Sequence, residues 1–220
     1  MQQLLPSIAP TPASALRIVS WNLFHEDGAT LEDIRLLMQM TRPDILLMQE
    51  ARTMINRLPD LIGGYYNRVT LPGRVHGTAC WSRLPFAAEP QLYPLPPGLI
   101  VRRFAQLLKF EIESGPFSVA NVHLSHGQVL NRRQLRLIRN SLDKRAIIMG
   151  DFNIVGPALL PNFHDVGPRE TTHRMLNHVP FRLDRCLVHG FSSLGARVYP
   201  RFGSDHYPIA VTLIPSALDY

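Results

Sequence analysis

Six apolar segments of the sequence carry polar side chains at one end, and those side chains are of the types that bind metal ions and phosphate. Four segments (RIVSW, ILLMQ, SVANV and IIMG) are followed by such a residue, and two later ones (RCLV and YPIAV) are preceded by one. The residues are Asn22, Glu50, His123, Asp151 with Asn153, Asp184, and Asp205 with His206. A single Asp or Asn at a strand end is usually a turn residue. Six strand ends that all carry such residues favour a single site at which these residues meet.

The residue types in this set suit a hard cation. The set holds carboxylates, amides and histidines but no cysteine, which favours Mg²⁺ or Mn²⁺ over zinc. Asp151 and Asn153 are two residues apart, so their side chains share a face of an extended segment. A carboxylate can hold an attacking water, while histidines and amides bind phosphate oxygens. The set therefore predicts metal-assisted hydrolysis of a phosphoester.

These side chains can meet only if strands of a mixed sheet position them. We expect strands at ALRIVSWNL, DILLMQE, TACWSRL, FAQLLKFEIE, PFSVANVHL, AIIMGDF, RLDRCLV and YPIAVTLI, the fourth and fifth forming a hairpin around Ser114-Gly115. If the last two run antiparallel to their neighbours, all six polar ends meet at one edge. LYPLPPG reads as a connection, and residues 156–180 read as a loop.

Two helices are expected between the strands. The first is TLEDIRLLMQM, in which Thr30 is a candidate N-cap with Asp33 three residues on. Its predicted core face is Leu31, Ile34, Leu37 and Met38. The second is LNRRQLRLIRNSL, whose predicted core side is Leu130, Leu137, Ile138 and Leu142. Its basic stripe of Arg132, Arg136 and Arg139 has two interpretations, a solvated face or a surface that contacts a phosphate backbone.

The composition predicts one globular domain. The chain has 220 residues, and we expect a flexible Pro-rich tail at residues 1–15 before a single catalytic domain at residues 16–220. The net charge of +6 either favours polyanionic partners or serves solubility alone. Cys80 and Cys186 each lie in an apolar run, which predicts buried thiols and a cytoplasmic location, with a disulfide between them as the open alternative. No apolar run approaches the roughly 20 residues of a transmembrane segment. We expect a monomer.

The motifs SWNL, DILLMQE, GTACWSRLP, NVHL, MGDFN, LDRCLV and GSDHYPI resemble, in the same order, those of the endonuclease/exonuclease/phosphatase superfamily. The resemblance runs from Arg17 to Ile214, and GDFN followed by SDHYP is its most specific part. It implies a deoxyribonuclease I-like fold, a four-layer α/β sandwich of two packed, mostly antiparallel or mixed sheets flanked by helices. It also implies a metal-dependent phosphoric ester hydrolase.

The resemblance assigns a role to each polar residue. It makes Glu50 the principal ligand of Mg²⁺ or Mn²⁺, with Asn22 beside it and Asp205 near a second metal position. Asp151 would orient or deprotonate the attacking water. The remaining residues would handle the phosphate: Asn153 would help to hold it, His206 would contact it with Asp184 on its other ring nitrogen, and His123 would bind it or act as a general acid.

One position departs from the pattern. In the abasic-site endonucleases of the superfamily a carboxylate follows the first-motif asparagine by two residues, whereas this chain has Phe24. This argues against close kinship with that branch and for fewer metal ligands on the first strand.

Three functional hypotheses follow from these observations. The leading one is a phosphodiesterase that acts on nucleic acid, with Arg132, Arg136 and Arg139 binding the substrate. The second is a hydrolase of a phospholipid or another small phosphoester. The third is a binding protein that kept the fold and lost turnover, an idea supported only by Phe24.

Overall fold

The structure, a computed structural model, describes residues 14–26, 28–98, 102–175 and 178–217. Most of the predicted tail, residues 1–13, lies outside the described residues, so the tail and the domain bounds stay predictions. Within the described ranges the chain forms fourteen strands. They are β1 (Leu16–Asn22), β2 (Ile45–Arg52), β3 (Tyr65–Val69), β4 (His76–Ser82), β5 (Gln91–Pro94), β6 (Phe104–Ile112), β7 (Gly115–His123), β8 (Ala146–Asp151), β9 (His164–Asp165), β10 (His173–Met175), β11 (Val179–Phe181), β12 (Asp184–His189), β13 (Phe191–Val198) and β14 (Ile209–Pro215).

Twelve of these strands build two six-stranded sheets of similar design. The first sheet has the order β13-β14-β1-β2-β4-β3, and the second has the order β5-β6-β7-β8-β12-β9. Each sheet contains one parallel pair, β1 with β2 and β7 with β8, and its other pairs are antiparallel. Strands β10 and β11 form a separate two-stranded arm. The predicted mixed, mostly antiparallel sheets are confirmed.

Three apolar layers hold the sandwich together. Side chains from the facing surfaces of the two sheets interdigitate between them, and they include Ile18, Leu47, Phe110, Phe117, Ile147 and Val211. A second layer lies between the first sheet and the helices α1 (Leu31–Thr41) and α2 (Leu58–Ile62), and a third lies between the second sheet and α3 (Gln128–Arg139). The order helix, sheet, sheet, helix confirms the predicted four-layer sandwich.

The strand assignment from sequence was wrong at four places. The predicted connection LYPLPPG contains β5, which pairs with β6 as an edge strand, a position that proline tolerates. The predicted loop at residues 156–180 contains β9 and β10 and the start of β11. These strands have two or three residues each, too few to show an alternating pattern. The edge strands β3 and β13 were not predicted from the sequence, and neither carries a polar motif.

The first helix begins as its sequence predicts. Thr30 is the N-cap, its hydroxyl accepts a hydrogen bond from the main chain of Asp33, and the Asp33 carboxylate accepts one from the main chain of Thr30. This capping box satisfies two donors that a helix N-terminus leaves free. Ile34 and Leu37 of the predicted face are buried, and the helix ends before Pro43. In the described part of the chain, no helix has the length and apolar character needed to cross a bilayer.

The face that α3 buries differs from the prediction. Ile138 is buried as expected, but Leu130 and Leu137 are only half-buried, and Asn131, Gln134 and Leu135 take the inner positions. The two amides are buried because they bond the main chain of neighbouring loops. Asn131 Nδ2 donates to the carbonyl of Asn153 at 2.8 Å, and Gln134 accepts from the N–H of Ser125. The helix thereby fixes a loop that carries site residues.

Glycine at position 150 allows the central strands of the second sheet to approach closely. Gly150 has φ 145°, and a Cβ there would lie 2.1 Å from the carbonyl oxygen of Val122 on β7. Only glycine fits such a contact. The close pairing places Asp151 opposite His123 at the end of the two strands.

Candidate active site

The six polar strand ends come together in one cleft, and each sheet supplies three of them. The first sheet contributes the ends of β1 and β2 and the segment before β14, and the second contributes the ends of β7 and β8 and the start of β12. The cleft has a volume of about 360 Å³. Seven of the eight predicted residues line it, namely Asn22, Glu50, His123, Asp151, Asn153, Asp205 and His206. The eighth, Asp184, is fully buried behind His206.

Asp151 is the centre of the cleft and is held by three donors. Its Oδ2 accepts hydrogen bonds from the side-chain amides of Asn22 and Asn153, both at 3.2 Å, and its Oδ1 accepts from the Asn153 main chain at 3.1 Å. Asn153 reaches this position with a left-handed backbone, φ 51°, which asparagine tolerates better than most residues. Burial raises the pKa of Asp151, and the neighbouring His206 opposes that rise.

His206 and Asp184 form a buried pair at the back of the cleft. The Nδ1 of His206 lies 2.9 Å from Oδ2 of Asp184, and its Nε2 faces Asp151 at 3.8 Å. Burial alone would lower the pKa of His206, but the carboxylates of Asp184 and Asp151 outweigh it and raise the pKa to about 10. The ring is therefore an imidazolium at neutral pH, with its Nε2–H directed into the cleft.

The main chain that carries Asp184 is positioned by Thr172, the residue before β10. The hydroxyl of Thr172 accepts hydrogen bonds from the main-chain N–H groups of Leu183 and Asp184, at 3.0 and 2.9 Å. The carbonyl of Thr172 accepts a hydrogen bond from the N–H of Tyr207, next to His206. Thr172 thus bonds both the main chain at Asp184 and the main chain of the residue after His206.

Glu50 is aimed into the cleft by an irregularity in β2. The pairing of β2 with β4 shifts between Met48 and Ala51, and Glu50 lies in this bulge with φ 54°. A bulge re-aims a side chain, and a left-handed glutamate is uncommon enough to suggest a functional constraint. Burial would raise the pKa of Glu50, but hydrogen bonds from the main chain and ring of His25 outweigh it and hold the pKa below its usual value.

His123 lies between the two key carboxylates. Its Nε2 is 3.3 Å from Asp151 and its Nδ1 is 3.8 Å from Glu50. Burial, followed by the positive charges of Arg103 and His206, lowers its pKa well below the ordinary value. The ring is therefore neutral at pH 7. A neutral ring suits an orienting or phosphate-binding role, and the predicted role as a general acid stays a prediction.

The donor set of the cleft fits a hard divalent cation. Glu50, Asn22 and Asp205, whose side chains carry oxygen atoms, line the same cavity. Asp205 has a buried Oδ1 with no hydrogen-bond partner in the described part of the chain. A buried carboxylate oxygen without a partner is costly, and a bound cation would compensate it. Two groups of side chains place ligand-type atoms within 4.8 Å of one another: His173, Asp205 and His206, and Asp151, Asp184 and His206. Because His206 is an imidazolium, it does not coordinate a cation, and the carboxylates are the candidate ligands of these groups.

Sequence reasoning missed three residues of the cleft region. His25 contacts Glu50, His173 packs against His206 with ring centroids 4.3 Å apart, and Arg103 acts on the charges of Glu50 and Asp151. His25 follows the first motif by two residues, which is a usable signal. His173 lies in the predicted loop and Arg103 precedes β6, so neither carried a local pattern.

The basic stripe on α3 divides into two kinds of arginine. Arg132 donates to the carbonyls of Gln128, Val155 and Pro157, so its guanidinium stabilises the loop that follows Asn153. Arg136 is exposed and Arg139 half-exposed, and no hydrogen bond from either guanidinium to another described residue is present. The predicted role in substrate binding therefore stays a prediction, and it fits Arg136 and Arg139 better than Arg132.

Comparison with solved structures supports the fold. The chain aligns with an endonuclease/exonuclease/phosphatase from Beutenbergia cavernae at a TM-score of 0.73 and 21% identity, over 93% of this chain and 72% of that one. It aligns with another from Bacteroides vulgatus at a TM-score of 0.76 and 15% identity, over 92% and 99%. It aligns with D. rerio TDP2 complexed with a single-strand DNA product at a TM-score of 0.75 and 17% identity, over 91% and 99%.

Comparison with sequences identifies the family. No curated protein sequence matches this chain significantly. The profile of the Endonuclease/Exonuclease/phosphatase family matches residues 19–206, from β1 to the histidine at the back of the cleft. Because the match covers most of the chain and all eight polar residues, this phosphoric ester hydrolase belongs to the endonuclease/exonuclease/phosphatase family.

Proposed function

We propose that this protein is a divalent-metal-dependent phosphodiesterase that hydrolyses nucleic acid. The observation that carries the proposal is that Glu50, Asp151 and the imidazolium of His206 line one cleft, with the His206 Nε2 3.8 Å from the Asp151 carboxylate. Such an arrangement offers a place for a cation, a base for water and a donor for phosphate within reach of one another.

Glu50 would hold the metal ion, with Asn22 as a further oxygen ligand, and Asp205 would lie near a second metal position. When bound, Mg²⁺ or Mn²⁺ would polarise the phosphoryl oxygen and neutralise charge that develops on it. The Phe24 position supplies no carboxylate, and His25 instead contacts Glu50 from the same loop. We therefore assign the principal metal ion to ligands drawn from β2 and the end of β1.

The chain's own residues would move the proton and stabilise the charge. The Asp151 carboxylate would accept a proton from the attacking water, and burial brings its pKa towards the working range of a general base. The amides of Asn22 and Asn153 hold this carboxylate in one orientation. His206 would donate its Nε2–H to a non-bridging phosphate oxygen, where negative charge builds in the transition state.

Three observations support nucleic acid as the substrate. The net charge of +6 favours polyanions, and Arg136 lies on an exposed helix face beside the cleft-side loop. A structural neighbour, D. rerio TDP2, has been crystallised with a single-strand DNA product. Nucleic acid offers a phosphodiester next to further phosphates, which such a surface would attract.

The buried cysteines support a reducing compartment. Cys80 and Cys186 are both free and fully buried, and burial raises the pKa of each thiol above its ordinary value. Neither thiol is therefore reactive. We place the enzyme in the cytoplasm and expect it to act as a monomer.

A substrate panel tests the proposal. Single- and double-stranded DNA, RNA, phosphatidylcholine vesicles and inositol phosphates are each incubated with Mg²⁺, Mn²⁺ or excess EDTA. We expect hydrolysis of a nucleic acid that EDTA abolishes, and no hydrolysis by His206→Ala. Hydrolysis of only the lipid, or of only the inositol phosphates, would show that the substrate is that compound and not nucleic acid. Binding of DNA without turnover of anything would mean that the protein kept the fold as a binding module.

A further inference from the structure

A second recess opens on the other side of Glu50 and His123. It lies where the two sheets meet, between the start of β4 and the start of β6, and Glu50 and His123 form the wall that it shares with the cleft. The remaining residues that matter for it are Arg74, Thr78, Arg102 and Arg103. The proposed mechanism uses none of these four.

Two buried donors of the recess lack partners. The hydroxyl of Thr78 and the Nε of Arg103 are buried, and neither has a hydrogen-bond partner within the part of the chain that the structure describes. Thr78 is only 3% exposed, so its hydroxyl is shielded from bulk solvent. Burying a polar group without a hydrogen bond is costly. Both groups can donate, so the ligand that satisfies them together is an acceptor.

The charge of the recess points to an anion. Three arginines, Arg74, Arg102 and Arg103, line it, whereas Glu50 is the one carboxylate among its described lining residues. Arg103 also lies close enough to Glu50 and Asp151 for their charges to act on it. A guanidinium prefers the oxygens of phosphate or carboxylate, which it can bind through two parallel hydrogen bonds.

The size of the recess limits what enters. Its volume is about 30 Å³. By the usual requirement of about 10–15 Å³ per water, this is room for roughly two waters. The non-bridging oxygens of one phosphate can take those positions, whereas a base or a sugar ring cannot. An anion bound there would lie next to the metal and phosphate positions of the cleft.

We propose that this recess, built by Thr78 and Arg103 with Arg74 and Arg102 at its mouth, binds a second phosphate of the substrate, the phosphate next to the scissile one in a nucleic-acid strand. The inference rests on the proposed function, since it names the part of the strand that the enzyme recognises. It makes the enzyme selective for phosphodiesters that carry a neighbouring phosphate over isolated ones.

Short thymidylates test the proposal. The dinucleoside TpT has one phosphodiester, while pTpT and TpTp carry an added phosphate on the 5′ or the 3′ side. We expect wild-type enzyme with Mg²⁺ to cleave one of the two phosphorylated forms with a kcat/KM on the order of tenfold above that of TpT, the size of one charge-assisted hydrogen bond. Thr78→Val and Arg103→Gln should each reduce this preference.

Two controls distinguish a loss of phosphate binding in the recess from a loss of folding and from a general loss of positive charge. Thr78→Val is isosteric and removes a hydroxyl without a partner, so its midpoint of thermal unfolding should equal or exceed that of wild type. Arg197→Gln removes the same charge as Arg103→Gln on the exposed edge strand β13, and it should keep the full preference. No preference in wild type, or an undiminished preference in both recess variants, would overturn the proposal.

Failure of the proposed function gives a different result. If TpT, pTpT and TpTp are all untouched, the recess is tested by calorimetric titration of inorganic phosphate into protein in EDTA. Phosphate binding that weakens in Thr78→Val and Arg103→Gln but persists in His206→Ala would support the proposed anion site in the recess. Absence of binding, or binding abolished only in His206→Ala, would overturn it.

Discussion

Glu50 combines an unfavourable backbone with the chemistry that the cleft requires. Its left-handed φ of 54° costs of order 1–3 kcal/mol, which the surrounding sheet must offset. We expect Glu50→Gln to keep the fold, since the His25 main chain can still donate to the new amide oxygen. The loss of one negative charge should weaken binding of Mn²⁺, measured by calorimetry, and lower kcat by roughly two orders of magnitude.

The matched control for this change is Glu89→Gln, which removes the same charge from an exposed position. It should leave Mn²⁺ affinity and kcat near those of wild type. Equal metal affinity in Glu50→Gln and wild type would exclude Glu50 as a ligand.

The His206–Asp184 pair predicts a pH profile with a definite sign. The pKa of His206 is raised from 6.5 to about 10, so the pair's contribution to stability is complete below pH 6.5 and is lost as pH rises through about 10. Activity that needs the imidazolium should fall over the same upper range. Asp184→Asn removes a charge that raises this pKa, so the basic limb of kcat should move to lower pH.

A double-mutant cycle tests whether the two residues act as one unit. His206→Ala should lower kcat by roughly 10³-fold, as the loss of a transition-state donor does. Asp184→Asn should lower kcat less, and the double variant should be little worse than His206→Ala alone. Additive losses, together with an unmoved basic limb in Asp184→Asn, would show that the residues act separately.

At the scale of elements, the close approach of β7 and β8 fixes where Asp151 stands. Gly150→Ala would place a Cβ 2.1 Å from the Val122 carbonyl oxygen, which forces the strands apart. We expect a loss of about 3 kcal/mol or more in the free energy of unfolding, measured in urea, together with a loss of activity. Gly156→Ala is the control, because φ there is also positive, at 82°, while the space around it is open. It should lose only about 1 kcal/mol.

Helix α3 shows why an element can be recognised while its face is misjudged. The apolar spacing predicted Leu130 and Leu137 at the core, but Asn131 and Gln134 are buried because their amides bond the main chain of Asn153 and Ser125. A buried amide is stable only when its hydrogen bonds are satisfied. Those partners lie in loops whose positions the helix sequence does not encode.

At the scale of the whole molecule, the positive charge predicts a salt dependence of nucleic-acid binding. Replacing Arg136 and Arg139 with Gln should reduce the slope of log K against log salt by up to about 0.9 for each phosphate that the variant no longer neutralises. The fold should be retained, since exposed substitutions change stability by about half a kcal/mol or less. Arg57→Gln with Arg197→Gln removes the same charge from other exposed positions and should leave the slope unchanged. Equal slopes in the two double variants would assign the stripe to a solvated face.

The sequence alone determined the residue types of the site and the elements that carry them. Polar residues directly follow or precede apolar strands, and this local pattern identified eight residues that converge in the structure. The capping box of α1 was predictable for the same reason, because Thr30 and Asp33 interact within one turn. Interactions between near neighbours in the chain are encoded in the local pattern.

Tertiary structure alone decided how the strand ends divide between two sheets and what each side chain faces. Three polar ends come from each sheet, although the strand pattern is the same in both. The left-handed turn at Glu50 depends on a mismatch between β2 and β4. The donors of Thr78 and Arg103 that lack partners among the described residues depend on where β4 meets β6. These features arise from interactions between residues far apart in the chain. Local propensity does not encode such interactions, because burial and pairing are properties of the packed sandwich.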